Sequence, residues 1–305
     1  MKRRAVHVTL AAGFAIGSPE GGKVWCEVDG LRLWYEAHGK GLPAIFLHGW
    51  SMDHRDETLV YEPIFANRPG YRRIYPNLPG MGKSPADRSI KNQDDYLDIV
   101  LKFIAQISRG QRFLLSGTSA GAYLARGVVQ RIADRIEGLM LRVPLIVAED
   151  KRRDVPSFSP LIKDEGFLAT LKEADRQAYA QVLVHAPGYL KAARRKHEEQ
   201  VAPAMKIANA RHLEPIRQDP SRYGFSFDAD VLAKPFPKPT LIITGRQDTS
   251  VGYRDAWRIV ENYPRATFAV LDRADHGLPV DHDELFRALV NDWLNRVEEA
   301  RGAGQ

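Results

Sequence analysis

The chain has 305 residues, 44% hydrophobic and 27% charged, with a formal net charge of +6. No run approaches the roughly 18 apolar residues that cross a bilayer, which argues against a membrane protein. The basic residues interleave with 38 acidic ones, as at Lys196-His197-Glu198-Glu199, so no basic stripe points to nucleic acid, and a lone cysteine, Cys26, makes no internal disulfide.

Residues 1–22 read as an N-terminal leader. A basic start before a weakly apolar stretch loosely follows an export signal, but His7 and Thr9 break the apolar part. The expected location is the cytoplasm, with export left open.

Runs at 24–27 and 31–36 around Asp29-Gly30 predict a β-hairpin. A short apolar run at 43–47 predicts a buried strand, ending at His48-Gly49-Trp50. A helix over 56–66 and a strand over 71–75 lead to the loop Asn77-Leu78-Pro79-Gly80-Met81-Gly82-Lys83-Ser84. Leu97, Val100, Leu101 and Ile104 recur at helical spacing. Phe113-Leu114-Leu115 predicts another buried strand, and the helical face of Ala122, Ala125, Val128, Val129 and Ile132 follows it. A strand over 136–143 comes next. Strands alternating with amphipathic helices predict a mostly parallel, doubly wound α/β sheet.

The pattern breaks over 145–239, a charged, proline-punctuated stretch with helices expected over 167–174, 178–184 and 198–210. It reads as a helical insertion between two parts of one core, 23–144 and 240–299. The core resumes with strands at 240–244 and 266–271 and a helix at 253–261. A closing helix carries Leu285, Phe286, Leu289, Val290 and Trp293 on one face.

Gly117-Thr118-Ser119-Ala120-Gly121 is a Gly-x-Ser-x-Gly turn between strand and helix, the setting of a nucleophile elbow. Glycines at both ends allow a tight, strained turn that presents the Ser119 hydroxyl. A hydroxyl needs a base to take its proton, and the base needs a carboxylate to orient it. In the order serine, acid, histidine, Asp248 follows one late strand and His276 the next. Asp248 could instead cap the helix that follows it. Asp150 or Asp154 are alternative acids, and His282 is an alternative base. Backbone N–H groups of Ala120 and Trp50 are the expected oxyanion donors, with the His48 ring bracing their loop.

These motifs resemble the α/β-hydrolase-fold serine hydrolases. His48-Gly49-Trp50 is similar to that family's H-G-x loop, and 77–84 to its D-x-P-G-x-G-x-S loop. Gly117 to Gly121 matches the elbow, Gly245-Arg246-Gln247-Asp248 the acid turn, and Asp275-His276-Gly277 the histidine turn. The resemblance runs from about Val24 to Trp293 and implies an α/β-hydrolase fold in which 145–239 is a helical cap. Two departures stand out. Asn77 replaces the usual aspartate, which touches loop bracing, and Asp275 replaces a glycine, where its charge would raise the histidine's pKa. Family members that act as dehalogenases or epoxide hydrolases carry aspartate where Ser119 stands.

The expected activity is cleavage of small carboxylic esters, with no cofactor, no metal and a small-molecule acyl compound as partner. C–C bond hydrolysis, aminopeptidase and acyltransferase activity share the same triad and stay open. From other classes come a binding protein that has lost its chemistry and a nucleotide-binding loop at Gly82-Lys83-Ser84. Pro85, where a helix would have to begin, argues against the latter. Phe158, Phe167, Leu183, Val184 and Tyr189 are expected to help roof the site. The oligomeric state is not legible.

Overall fold

Asp29 and Gly30 both take left-handed backbone angles, φ 51° and 80°, the turn geometry that suits twisted paired strands. They join β1 (Gly22–Val28) antiparallel to β2 (Leu31–His38). The structure, a computed structural model, describes residues 22–179, 182–280 and 282–303. Of the expected leader, 1–22, residues 1–21 lie outside these, and its last residue, Gly22, already opens β1.

Strands and helices then alternate: β3 (Leu42–Leu47), α1 (Arg55–Phe65), β4 (Tyr71–Pro76), α2 (Gln93–Ser108), β5 (Phe113–Thr118), α3 (Ala120–Ile132) and β6 (Ile136–Arg142). Helix α2 illustrates how local chemistry sets an element. The Asn92 side chain caps the Asp95 N–H at 3.0 Å, and two acids in the first turn favour that end. Leu97, Val100, Phe103 and Ile104 supply its buried face, and Arg109 and Gly110, both at positive φ, end it.

Between β6 and β7 (Thr240–Gly245) lie α4 (Glu165–Ala169), α5 (Glu173–Tyr179), α6 (Pro187–Lys196), a π-helical turn (His197–Val201), α7 (Ala202–Ile207), α8 (Ala210–Arg217) and α9 (Pro220–Tyr223). The core closes with α10 (Tyr253–Trp257), β8 (Ala266–Leu271) and α11 (Asp283–Gly302). The eight strands run in the order β1-β2-β4-β3-β5-β6-β7-β8, parallel from β4 to β8. Helix α2 packs with α3, and α1 with α11. This is an α/β-hydrolase fold. No helix among the described residues is long and apolar enough to cross a membrane.

Several sequence expectations shift in the insertion. The helix expected over 178–184 ends at Tyr179, and Val184 instead forms a parallel bridge with Ile162. Valine at 182 and 184 favours extended chain over helix. Helix α6 was not expected, because its single deeply buried residue, Leu190, gives no apolar period. It runs on into the π turn and α7 despite Pro203. A proline lacks the N–H and crowds the carbonyl four residues back, and here the chain has widened to a bond from Ala202 N–H to the His197 carbonyl. In α11, Leu285 lies 46% exposed, off the buried face of Phe286, Val290, Trp293, Leu294 and Val297. Of the expected roof residues, Phe158 is exposed and Phe167 and Tyr189 are half-buried. Leu183 and Val184 are buried, with Leu190 and Ala204, apart from the main core.

Candidate active site

Ser119 sits where β5 turns into α3, at φ 53° and ψ −116°, a conformation that costs a non-glycine residue about 1–3 kcal/mol. The surroundings enforce it. A Cβ at Gly121 would run into the Leu47 carbonyl, and one at Gly117 into the Gly121 carbonyl. The Ser119 N–H donates to the Arg142 carbonyl at 3.0 Å, and its own carbonyl accepts from Leu145 N–H at 3.2 Å. The serine turn is thereby tied to β6 and to the first residue of the insertion.

The turn after β3 lies against it: a Cβ built on Gly49 would stand 3.5 Å from Ser119 Cβ. His48 holds this turn. Its Nε2 accepts from Leu78 N–H at 3.0 Å, so Nδ1 carries the proton and donates to the Gly49 carbonyl at 2.8 Å. Burial lowers the His48 pKa, more than its hydrogen bond to Gly49 and the nearby Asp53 and Asp56 raise it. Trp50 packs edge-on to Tyr96 of α2, 5.3 Å away, and to Tyr223 of the insertion, 5.1 Å away. The Ala120 N–H opens α3, where first-turn donors lack intrahelical acceptors.

The loop over 77–84 closes on itself. Asn77 Oδ1 accepts from His54 N–H at 2.9 Å. Ser84 Oγ donates to the Asn77 carbonyl at 2.7 Å and accepts from Trp34 N–H at 3.0 Å. Asn77 therefore braces the loop, and the next helix starts only at Gln93, so no phosphate cradle forms at Ser84.

Asp248 and His276, from the turns after β7 and β8, meet at 2.8 Å between Oδ2 and Nδ1. The other carboxylate oxygen accepts from Ser250 and Val251 N–H at 2.7 and 2.9 Å. Asp248 thus braces its own turn with one oxygen and orients the histidine with the other; it does not cap α10, whose N-cap is Gly252 with no side-chain bond. Asp248 is buried, while the His276 side chain is 35% exposed. Burial works to lower the His276 pKa, but the charge and hydrogen bond of Asp248 outweigh it and raise the ring above 6.5, with Asp275 adding to the rise. The other candidates stand elsewhere. His282 lies just before α11 rather than inside it and bonds the Asp272 carbonyl. Asp150 pairs with Arg217 at 2.8 Å, and Asp154 with Arg254 at 3.0 Å.

One cluster escaped the sequence reading. Arg142, wholly buried at the end of β6, donates to Thr118 Oγ1 (2.9 Å), the Leu278 carbonyl (3.1 Å), Asp56 Oδ2 (3.0 Å) and Glu57 Oε1 (2.9 Å). Lys196, from the insertion, donates to the Gly277 carbonyl at 2.9 Å and lies 3.5 Å from Asp56 Oδ1. Burial pushes Glu57 up, to about 7. Burial also raises Asp56, but Lys196 and Arg142 overcome it and hold the carboxyl at about 2. The available signal was an arginine closing the otherwise apolar run Leu139-Met140-Leu141, a charge that needs buried partners.

The sequence profile described as "Alpha/beta hydrolase family" matches residues 44–289. A pimeloyl-[acyl-carrier protein] methyl ester esterase of Legionella pneumophila is 21% identical, over 87% of this chain and 100% of its own. A 2-hydroxy-6-oxononadienedioate/2-hydroxy-6-oxononatrienedioate hydrolase of Paraburkholderia phymatum is 25% identical, over 97% and 100%. The crystal structure of an alpha/beta superfamily hydrolase from Oenococcus oeni superimposes with TM-score 0.76 at 24% identity, over 87% and 96%.

Proposed function

The chain belongs to the alpha/beta hydrolase family, and from that membership we propose that it cleaves small carboxylic esters through an acyl-enzyme on Ser119. The observation that carries this reading is the Asp248–His276 pair, formed past the ends of β7 and β8 in the sheet whose β5 ends in the strained elbow of Ser119. Asp248 occupies Nδ1, which leaves His276 Nε2 for the serine. Nε2 takes the Ser119 proton as Oγ attacks the acyl carbon, then gives it to the departing alkoxide. Water, deprotonated by the same ring, releases the acid. The Trp50 and Ala120 N–H groups receive the negative charge on the tetrahedral oxygen; one such donor is worth about 10²–10³ in rate. C–C bond cleavage on the same residues is the second reading, favoured by the Paraburkholderia relative. We propose a cytoplasmic location, which suits a lone thiol such as Cys26.

The base works only when neutral. Turnover should therefore rise with pH through the His276 pKa, with its midpoint above the ordinary 6.5. His276→Ala should abolish ester turnover, and His282→Ala should leave it near wild type. The reverse pattern in a pH–rate comparison of the two variants would reassign the base.

The insertion reaches the loops around the serine through Tyr223 against Trp50, Asn209 N–H on the Gly80 carbonyl at 2.8 Å, and Lys196 on Gly277. A helical cap so placed favours compact, partly apolar acyl groups over lipid particles. Each methylene fitted into an apolar pocket adds about 0.8 kcal/mol, close to fourfold in affinity. kcat/KM across a p-nitrophenyl ester series should climb over the first few carbons and then fall. A flat profile, or preference for emulsified long-chain lipid, argues against the closed cap. Fluorophosphonate labelling of wild type, lost on replacing Ser119, tests the acyl-enzyme itself.

A further inference from the structure

We propose that Lys196 is a positioning residue for His276, gripping the histidine turn from the insertion so that ring placement depends on how the insertion is seated. This rests on His276 being the base. Two buried cations hold consecutive carbonyls just past that ring: Lys196 holds Gly277 at 2.9 Å, and Arg142 holds Leu278 at 3.1 Å. Their common counter-ion is Asp56, which meets Lys196 with Oδ1 and Arg142 with Oδ2. The three groups come from different parts of the chain: the insertion, β6 and the first turn of α1.

Burying an ammonium is costly unless it is paired, and the Lys196 side chain is only 14% exposed. Its long stem gives up rotamer freedom to reach this spot. It is also the last residue before the π turn, so the widened turn that accommodates Pro203 begins where the lysine leaves the helix.

The charged groups around the ring are Asp248 beyond β7, Asp275 beside it, Asp56 on α1 and Lys196 on α6. Arg142 and Glu57 stand behind Asp56. Lys196 opposes the imidazolium, whereas Asp248 and Asp275 favour it. Removing the ammonium should therefore do two things. The ring should hold its proton more tightly, and it should lose part of its alignment. A residue that merely filled space would do neither in a charge-dependent way.

The test titrates His276 directly, in the full chain labelled with ¹⁵N-histidine, its resonance identified by its loss in His276→Gln. In Lys196→Met the midpoint should move to higher pH. In Lys196→Arg, which keeps the charge, it should stay. Asp56→Asn, close in shape to the original, should move it lower and serves if Lys196→Met does not fold. With p-nitrophenyl butyrate, Lys196→Met should lose about tenfold to a hundredfold in kcat with little change in KM, and Lys196→Arg should recover most of it. An unmoved midpoint in Lys196→Met, or in Asp56→Asn where that variant replaces it, overturns the proposal. The titration needs no turnover. An inactive wild type would thus count against the ester reading alone, and the midpoints would still decide the role of Lys196.

Discussion

Replacing Ser119 with alanine should lower kcat/KM toward a short p-nitrophenyl ester by about three to six orders of magnitude while leaving thermal unfolding unchanged. The size follows from the way the parts act together. Without the hydroxyl, the Asp248–His276 pair has no proton to accept, and the oxyanion donors face no intermediate formed on the enzyme. The fold should survive because the turn is imposed by its neighbours rather than by the hydroxyl. Gly117 and Gly121 press against backbone that admits no Cβ, and the Ser119 N–H and carbonyl keep their partners whatever the side chain. Alanine meets the same φ of 53° with the same Cβ. Retention of more than about a tenth of the activity would remove Ser119 from the mechanism.

The second large effect concerns stability. Arg142→Met should destabilise the fold by about 3–5 kcal/mol, the usual cost of stripping one partner from a buried ion cluster. Asp56 and Glu57 would keep their burial, 5% and 0% exposed, with Lys196 left as the nearby ammonium. Thr118 and Leu278 would also lose a donor. The Asp56 carboxyl, held at about 2 against an ordinary 3.8, contributes stability above pH 3.8 that is lost as the pH falls toward 2. Glu57 runs the other way. Its pKa, raised from 4.5 to about 7, makes its contribution complete below 4.5 and lost as the pH rises through 7. Urea denaturation at pH 7 and pH 5 should therefore show the smaller loss at pH 5, where Glu57 is protonated. Adding Glu57→Gln and Asp56→Asn to Arg142→Met should restore much of the loss, since apolar or neutral substitutes for a buried cluster are often well tolerated. A loss under about 1 kcal/mol would mean that water reaches the cluster.

The core of this protein was legible because its signals are local. An Asp-Gly turn, short apolar runs and helical spacing each depend on residues a few places apart, and the sheet honours them. The candidate site was legible for a related reason. Ser119, Asp248 and His276 each follow a strand that could be read, and parallel strands bring their carboxyl ends to one edge. The insertion was harder. Its helices bury at most two of their described residues each, so α6 left no period to detect, and Val184 pairs with a residue, Ile162, that only the folded chain brings near. Asp56 and Glu57 were similarly opaque. Two acids at a helix start read as ordinary first-turn residues until Arg142 and Lys196, 86 residues away in one case, are seen against them.

The separate burial of Leu183, Val184, Leu190 and Ala204 has a consequence for how this chain can change. Their packing does not reach the sheet's own core, so substitutions among them should add to core substitutions rather than couple with them. Other parts of the insertion are joined to the core: Leu213, Ile216, Tyr223 and Phe236 belong to the main cluster, Arg126 meets Asp230 at 2.5 Å, and Phe225 N–H donates to the Tyr123 hydroxyl at 2.9 Å. The part of the insertion packed on these four residues is thus the part open to redesign, provided Leu145, Lys196 and the residues shared with the core are kept to hold the serine and histidine turns.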